Sequence, residues 1–76
     1  MNKLRRKTLS EILDRIEGLQ LEIQEVLDEE QESLDNLPES FQNGEKGEKM
    51  QEFIDYLEYA VSSLDECKDN INAVIE

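Results

Sequence analysis

Eight consecutive heptad positions in the second half of this chain are apolar or small: Met50, Phe53, Leu57, Ala60, Leu64, Cys67, Ile71 and Val74. Their steps alternate between three and four. An α-helix gathers such a pattern onto one face, because a turn takes about 3.6 residues. A similar run precedes it: Leu9, Ile12, Ile16, Leu19, Ile23 and Val26 fill six a and d positions in a row. Both stripes widen on the e side, through Leu13, Leu27 and Leu34 in the first and Ile54, Val61 and Ile75 in the second. No alternation of period two is sustained, so strands are not expected and the fold class is all-α.

The stretch from Asn36 to Gly47 separates the two runs and holds the only Pro, two of the three Gly and an Asn-Gly dipeptide. Pro38 drives Leu37 out of helical geometry and ends the first helix. Asn43-Gly44 is a turn signal, and one short helical turn fits within 38–42. The pattern predicts a single domain over residues 1–76, with a helix over about 3–35, a loop over about 36–46 and a helix over about 47–75.

The two stripes suit a long antiparallel hairpin. Pairing residues whose numbers sum to 83 centres the loop between Phe41 and Gln42 and stacks Leu9 on Val74, Ile16 on Cys67, Leu19 on Leu64 and Val26 on Leu57. The a/d match lapses near the turn, where Glu30 meets Phe53 and Ser33 meets Met50; there Leu27, Leu34 and Ile54 are expected to take over. A stripe three columns wide needs a second surface. The expected solution is dimerisation into a four-helix bundle, with Leu13, Leu27, Ile54, Leu57 and Val61 at the oligomer interface.

Eight basic and 20 acidic side chains give a net charge of −12. The first seven residues hold Lys3, Arg5, Arg6 and Lys7 and no acid, so the remainder sums to −16. That surplus disfavours direct binding to nucleic acid or an anionic membrane. No apolar segment follows the basic cluster, so neither a signal peptide nor a membrane span is expected. With no His and one Cys, Ser-His and Cys-His nucleophile pairs, His-containing metal sites and an internal disulfide are all excluded. An enzyme is the least expected class; no cofactor and no metal are expected. The first helix is charged against its own macrodipole, basic at its start and acidic at its end. An antiparallel neighbour corrects this, setting Asp65, Glu66, Asp69 and Glu76 beside the basic end and Lys46 and Lys49 beside the acidic end.

Seven acids and no base lie between Glu22 and Asp35. The run Asp28-Glu29-Glu30-Gln31-Glu32 is either a surface that imitates a phosphate backbone or a solvated face that keeps the chain dispersed. Residues 35–46 do not make a calcium loop, having Ser40 and Lys46 where Gly and Glu are needed. Cys67 falls on the core stripe and reads as a small core residue rather than a reactive thiol. Leu21, Tyr56 and Tyr59 fall outside the stripes. Leu37 and Phe41 are too apolar for an idle loop and either cap the core or anchor a partner. The candidate partner-binding residues are Leu37, Glu39, Phe41 and Gln42 at the tip, with Asp28, Glu29 and Glu32 beside them.

The same tip carries a resemblance. Asn36-Leu37-Pro38-Glu39, then Gln42, Gly47-Glu48-Lys49, Ile54-Asp55, Leu57-Glu58 and Ala60 resemble a group of small acidic proteins from phages, prophages and mobile elements of Gram-positive bacteria. The resemblance implies a setting, the cytoplasm of a bacterial host, where such proteins inhibit or redirect host machinery. The expected function is a non-enzymatic acidic interaction module. Its leading version is a phage-type inhibitor of a host defence or nucleic-acid-handling protein, working as a DNA mimic. Two alternatives stand beside it: a structural or regulatory four-helix-bundle adaptor, and a sponge for a small signalling nucleotide.

Overall fold

The computed structural model describes residues 1–76 and contains helices only. Helix α1 spans Lys3–Asp35, a short α2 spans Glu39–Gln42, and α3 spans Glu45–Ile75. The start of α1 is set by Asn2, whose side-chain oxygen accepts from the Arg5 N–H at 2.8 Å, satisfying one of the free donors of the first turn. At the other end, the Asn36 N–H donates to the Glu32 carbonyl at 3.0 Å. Pro38 then has no N–H to continue the ladder. Its carbonyl instead accepts from Phe41 and Gln42, at 2.8 and 3.0 Å, and closes the expected turn as α2. Helix α3 begins at Glu45, two residues before the expected 47.

The long helices pack side by side, antiparallel, in a rod with principal extents of 58 × 15 × 12 Å. Its radius of gyration is 17.3 Å, against about 11 Å for a compact domain of this length. The register is the one expected. Gln20 reaches across to the Val61 carbonyl and the Asp65 carboxylate, which brackets the pairing partner that a sum of 83 assigns to it.

The seam differs from the expected one. Ile54 is completely buried, and Ile16 and Leu27 are buried with it. Leu9, Leu13 and Ile23 on α1 and Leu57, Val61, Leu64, Ile71 and Ile75 on α3 are half-buried alongside them. These are the a and e columns. Most of the d column is left outside: Leu19 is 51% exposed, Val26 53% and Phe53 49%, Cys67 and Val74 are exposed too, and only Ile12 and Ala60 are half-buried. The takeover expected only near the turn runs the whole length. At the loop end the d column stops at Ser33 and the e column continues to Leu34, so the a/e phase keeps one more apolar side chain beside the turn, while Glu30 on the shared a column is half-buried there. The expectation that Leu13, Leu27, Ile54 and Val61 lack partners within one hairpin therefore does not hold. Leu27 and Ile54 are buried in the hairpin's own core, and Leu13 and Val61 are half-buried along it, as is Leu57.

Two polar side chains enter this core. Gln20 is buried, and its amide donates to the Val61 carbonyl at 3.1 Å and to Asp65 Oδ1 at 2.8 Å. Lys68 is half-buried on the facing helix, with Nζ 3.6 Å from the same Asp65 Oδ1. Burying an amide costs little once its donors are satisfied. A single polar pairing in an apolar seam also penalises any shift of register.

The turn is locked by a close backbone approach. Gly47 is buried against the carbonyls of Phe41 and Gln42, and a Cβ at this position would overlap the Gln42 carbonyl. Gly18, by contrast, has open space around it. The two glycines should respond with opposite sign. Gly18→Ala is expected to stabilise by about 0.5–1 kcal/mol, since Gly costs that much in a helix interior. Gly47→Ala is expected to destabilise through the displaced loop. Urea melts followed by circular dichroism measure both.

Candidate functional site

Two surface features stand out once the seam is assigned. The first is the uncovered d column. Leu19, Val26, Phe53, Cys67 and Val74 each lie one residue before a seam position, with half-buried Ile12 and Ala60 completing the spacing. That offset turns each of them the same way about its own helix axis, by about 100°. The two axes run in opposite directions, so the same rotation brings both stripes to one broad face of the hairpin. Tyr56, itself exposed, lies one turn from Phe53 and Ala60 on that side, while exposed Leu21 lies on the other.

The amount of exposed surface agrees with this. By the usual scaling, a folded monomer of 8.9 kDa exposes about 4,800 Å². This chain exposes 5870 Å², and only five of its 76 residues are buried. The excess of about 1,000 Å² goes with the 58 × 15 × 12 Å rod shape, which leaves most side chains at the surface.

The second feature is the acidic loop end. Residues 19–61 contain thirteen acids against Lys46 and Lys49, a balance of −11, leaving −1 for the rest of the chain. Asp28, Glu29, Glu32 and Glu39 are all exposed. The structure holds two ion pairs, Lys49–Glu52 at 3.9 Å and Lys68–Asp65 at 3.6 Å, both within α3. The expected neutralisation across the hairpin does not take the form of ion pairs. Lys3, Arg5, Arg6 and Lys7 pair with nothing. Register explains part of this: residue 76 pairs with residue 7, so the first turn of α1 overhangs the end of α3.

The tip divides the four loop candidates. Phe41 is 55% exposed, whereas Leu37 is half-buried. Leu37 therefore does part of the capping and Phe41 stands out beside the acids. Glu39 is exposed in the first turn of α2. Gln42 has a different task from the one expected. Its side-chain amide donates to the Asp35 carbonyl at 3.2 Å and the Leu37 carbonyl at 2.8 Å, holding the loop against the end of α1. Both amide donors are used inside the chain and neither is left for a partner.

No group of three or more His, Cys, Asp or Glu side chains is arranged to hold a metal ion, and no helix is long and apolar enough to cross a membrane. No protein-family model, no curated protein and no solved structure matches this chain.

The division of the tip can be measured. Phe41→Ala should change stability by less than about 0.5 kcal/mol, as surface substitutions do. Gln42→Ala should cost about 1 kcal/mol for the lost hydrogen bonds. Leu37→Ala should also cost more than Phe41→Ala. Chemical denaturation of the three variants checks the order; Phe41→Ala as the most damaging would reverse the assignment.

Proposed function

We propose that this chain is a non-enzymatic protein-interaction module. It associates with a second copy through the exposed Leu19, Val26, Phe53 and Val74 face, forming a four-helix bundle, and offers its acidic loop end to a basic surface on another protein. The narrower version is an inhibitor of a host defence or nucleic-acid-handling protein, with Asp28, Glu29 and Glu32 standing where phosphates would. Its compartment, on this reading, is the bacterial cytoplasm, the setting implied by the resemblance of the tip to small acidic phage and mobile-element proteins.

One observation carries the reading: the surplus of acids over bases at the loop half, which leaves most of its carboxylates exposed and without an ion-pair partner. Like charges gathered in this way raise the energy of the free protein and are relieved by a cationic surface. Exposed Phe41 beside them supplies an apolar contact, and an apolar centre with a charged rim is the usual composition of an interface.

The test is retention of proteins from a bacterial lysate on the immobilised chain and on the triple variant Asp28→Asn, Glu29→Gln, Glu32→Gln. Basic nucleic-acid-handling proteins should be retained by the first and lost on the second. Duplex DNA should release them, and so should added salt, because exposed charges are screened beyond about 8 Å at physiological ionic strength. Equal retention by both forms, indifferent to DNA and salt, would contradict the acidic surface as the binding element.

A further inference from the structure

The exposed d column carries more than the fact of a partner; it fixes how a second copy must lie. This rests on the bundle reading above and goes beyond it. On α1 the d column comprises half-buried Ile12 and exposed Leu19 and Val26, spaced evenly about Leu19. On α3 they run from Phe53 to Val74, evenly about a point between Ser63 and Leu64. In the hairpin's register Leu64 is the partner of Leu19, so the two stripes share one midpoint height. A single two-fold axis across the rod at that height satisfies both. It sets Ile12 against Val26 of the second copy, Phe53 against its Val74, and Leu19 against its own counterpart.

Charge selects this arrangement over the other face-to-face packing, in which both loops lie at the same end. Same-end packing would stack a half carrying −11 on another carrying −11. Opposite-end packing sets each −11 half against a −1 half. It also gives the overhanging first turn of α1 a neighbour: the unpaired Arg5 comes level with Glu30 and Ser33 of the second copy, and Arg15 with its Glu22.

We propose that two copies pack face to face with their loops at opposite ends, α1 on α1 and α3 on α3, with Leu19 on the two-fold axis. The assembly then carries its two acidic tips about 60 Å apart, at 1.5 Å per residue of helix, facing away from each other. It can engage two basic surfaces at once.

Two measurements decide this, both in a Cys67→Ser background. A nitroxide on Asn43→Cys, at the loop, should give an intermolecular distance near 60 Å by pulsed dipolar spectroscopy. A distance of about 20 Å, the separation of loops packed at one end across neighbouring helices, would overturn the orientation and leave the bundle standing. Oxidation of Leu19→Cys should give a disulfide-linked dimer. Val26→Cys alone should give none, and a mixture of Ile12→Cys with Val26→Cys should cross-link between the two. Val26→Cys linking to itself as readily as Leu19→Cys would also overturn the orientation. A monomer with no intermolecular distance would overturn the orientation and the bundle together.

Discussion

Two helices packed side by side can bury only two neighbouring columns of side chains, and this chain has three apolar columns on each helix. The rest of the structure depends on which two are chosen. Ile54, Leu27 and Ile16 go inside with the a/e phase, and Phe53, Val26 and Leu19 stay outside. Each buried aliphatic side chain contributes about 1.5–3 kcal/mol, so the choice sets both the stability of one hairpin and the apolar content of the face it leaves. A hairpin in the a/d phase would have placed Ser33 rather than Leu34 in the seam beside the turn; Glu30 lies on the a column in either phase and is half-buried.

Much of this architecture is legible in the residues. The period of the stripes gives two helices, Pro38 and Asn43-Gly44 give the break, and the spacing of the stripes about the loop gives the register. The column is not legible, because a heptad reading treats Gln20 and Lys68 as outward and Leu19 and Cys67 as inward. An amide can sit in a seam when a carbonyl and a carboxylate wait for it, as the Val61 carbonyl and Asp65 do for Gln20. Those partners belong to the other helix and cannot be seen along one strip of sequence. The one local signal is the lapse at Ser33 beside apolar Leu34, which reports the phase of the whole seam rather than a defect at its end.

The tip shows a similar split. Leu37, Phe41, Glu39 and the acids of α1 are conspicuous by type, and Glu39 and Phe41 stand exposed beside those acids. Gln42 looked equally available, yet its amide is spent on the Asp35 and Leu37 carbonyls, a pairing created by the backbone path after Pro38. Charge behaves in the same way. The basic start and acidic end of α1 suggest compensation by α3, but the register carries Lys3, Arg5 and Arg6 past the end of that helix; in the proposed dimer a second copy would offer the acids that α3 does not.

The central claim is that the a/e seam leaves an apolar face requiring a second copy. Sedimentation equilibrium of the unmodified chain and of Phe53→Glu at micromolar concentration tests it most directly. Phe53 is half exposed in a lone hairpin, so the substitution spares the seam and charges only the outer face. Twice the 8.9 kDa chain mass is expected for the unmodified protein and the single-chain mass for the variant. A stable, fully helical monomer in both cases would contradict it.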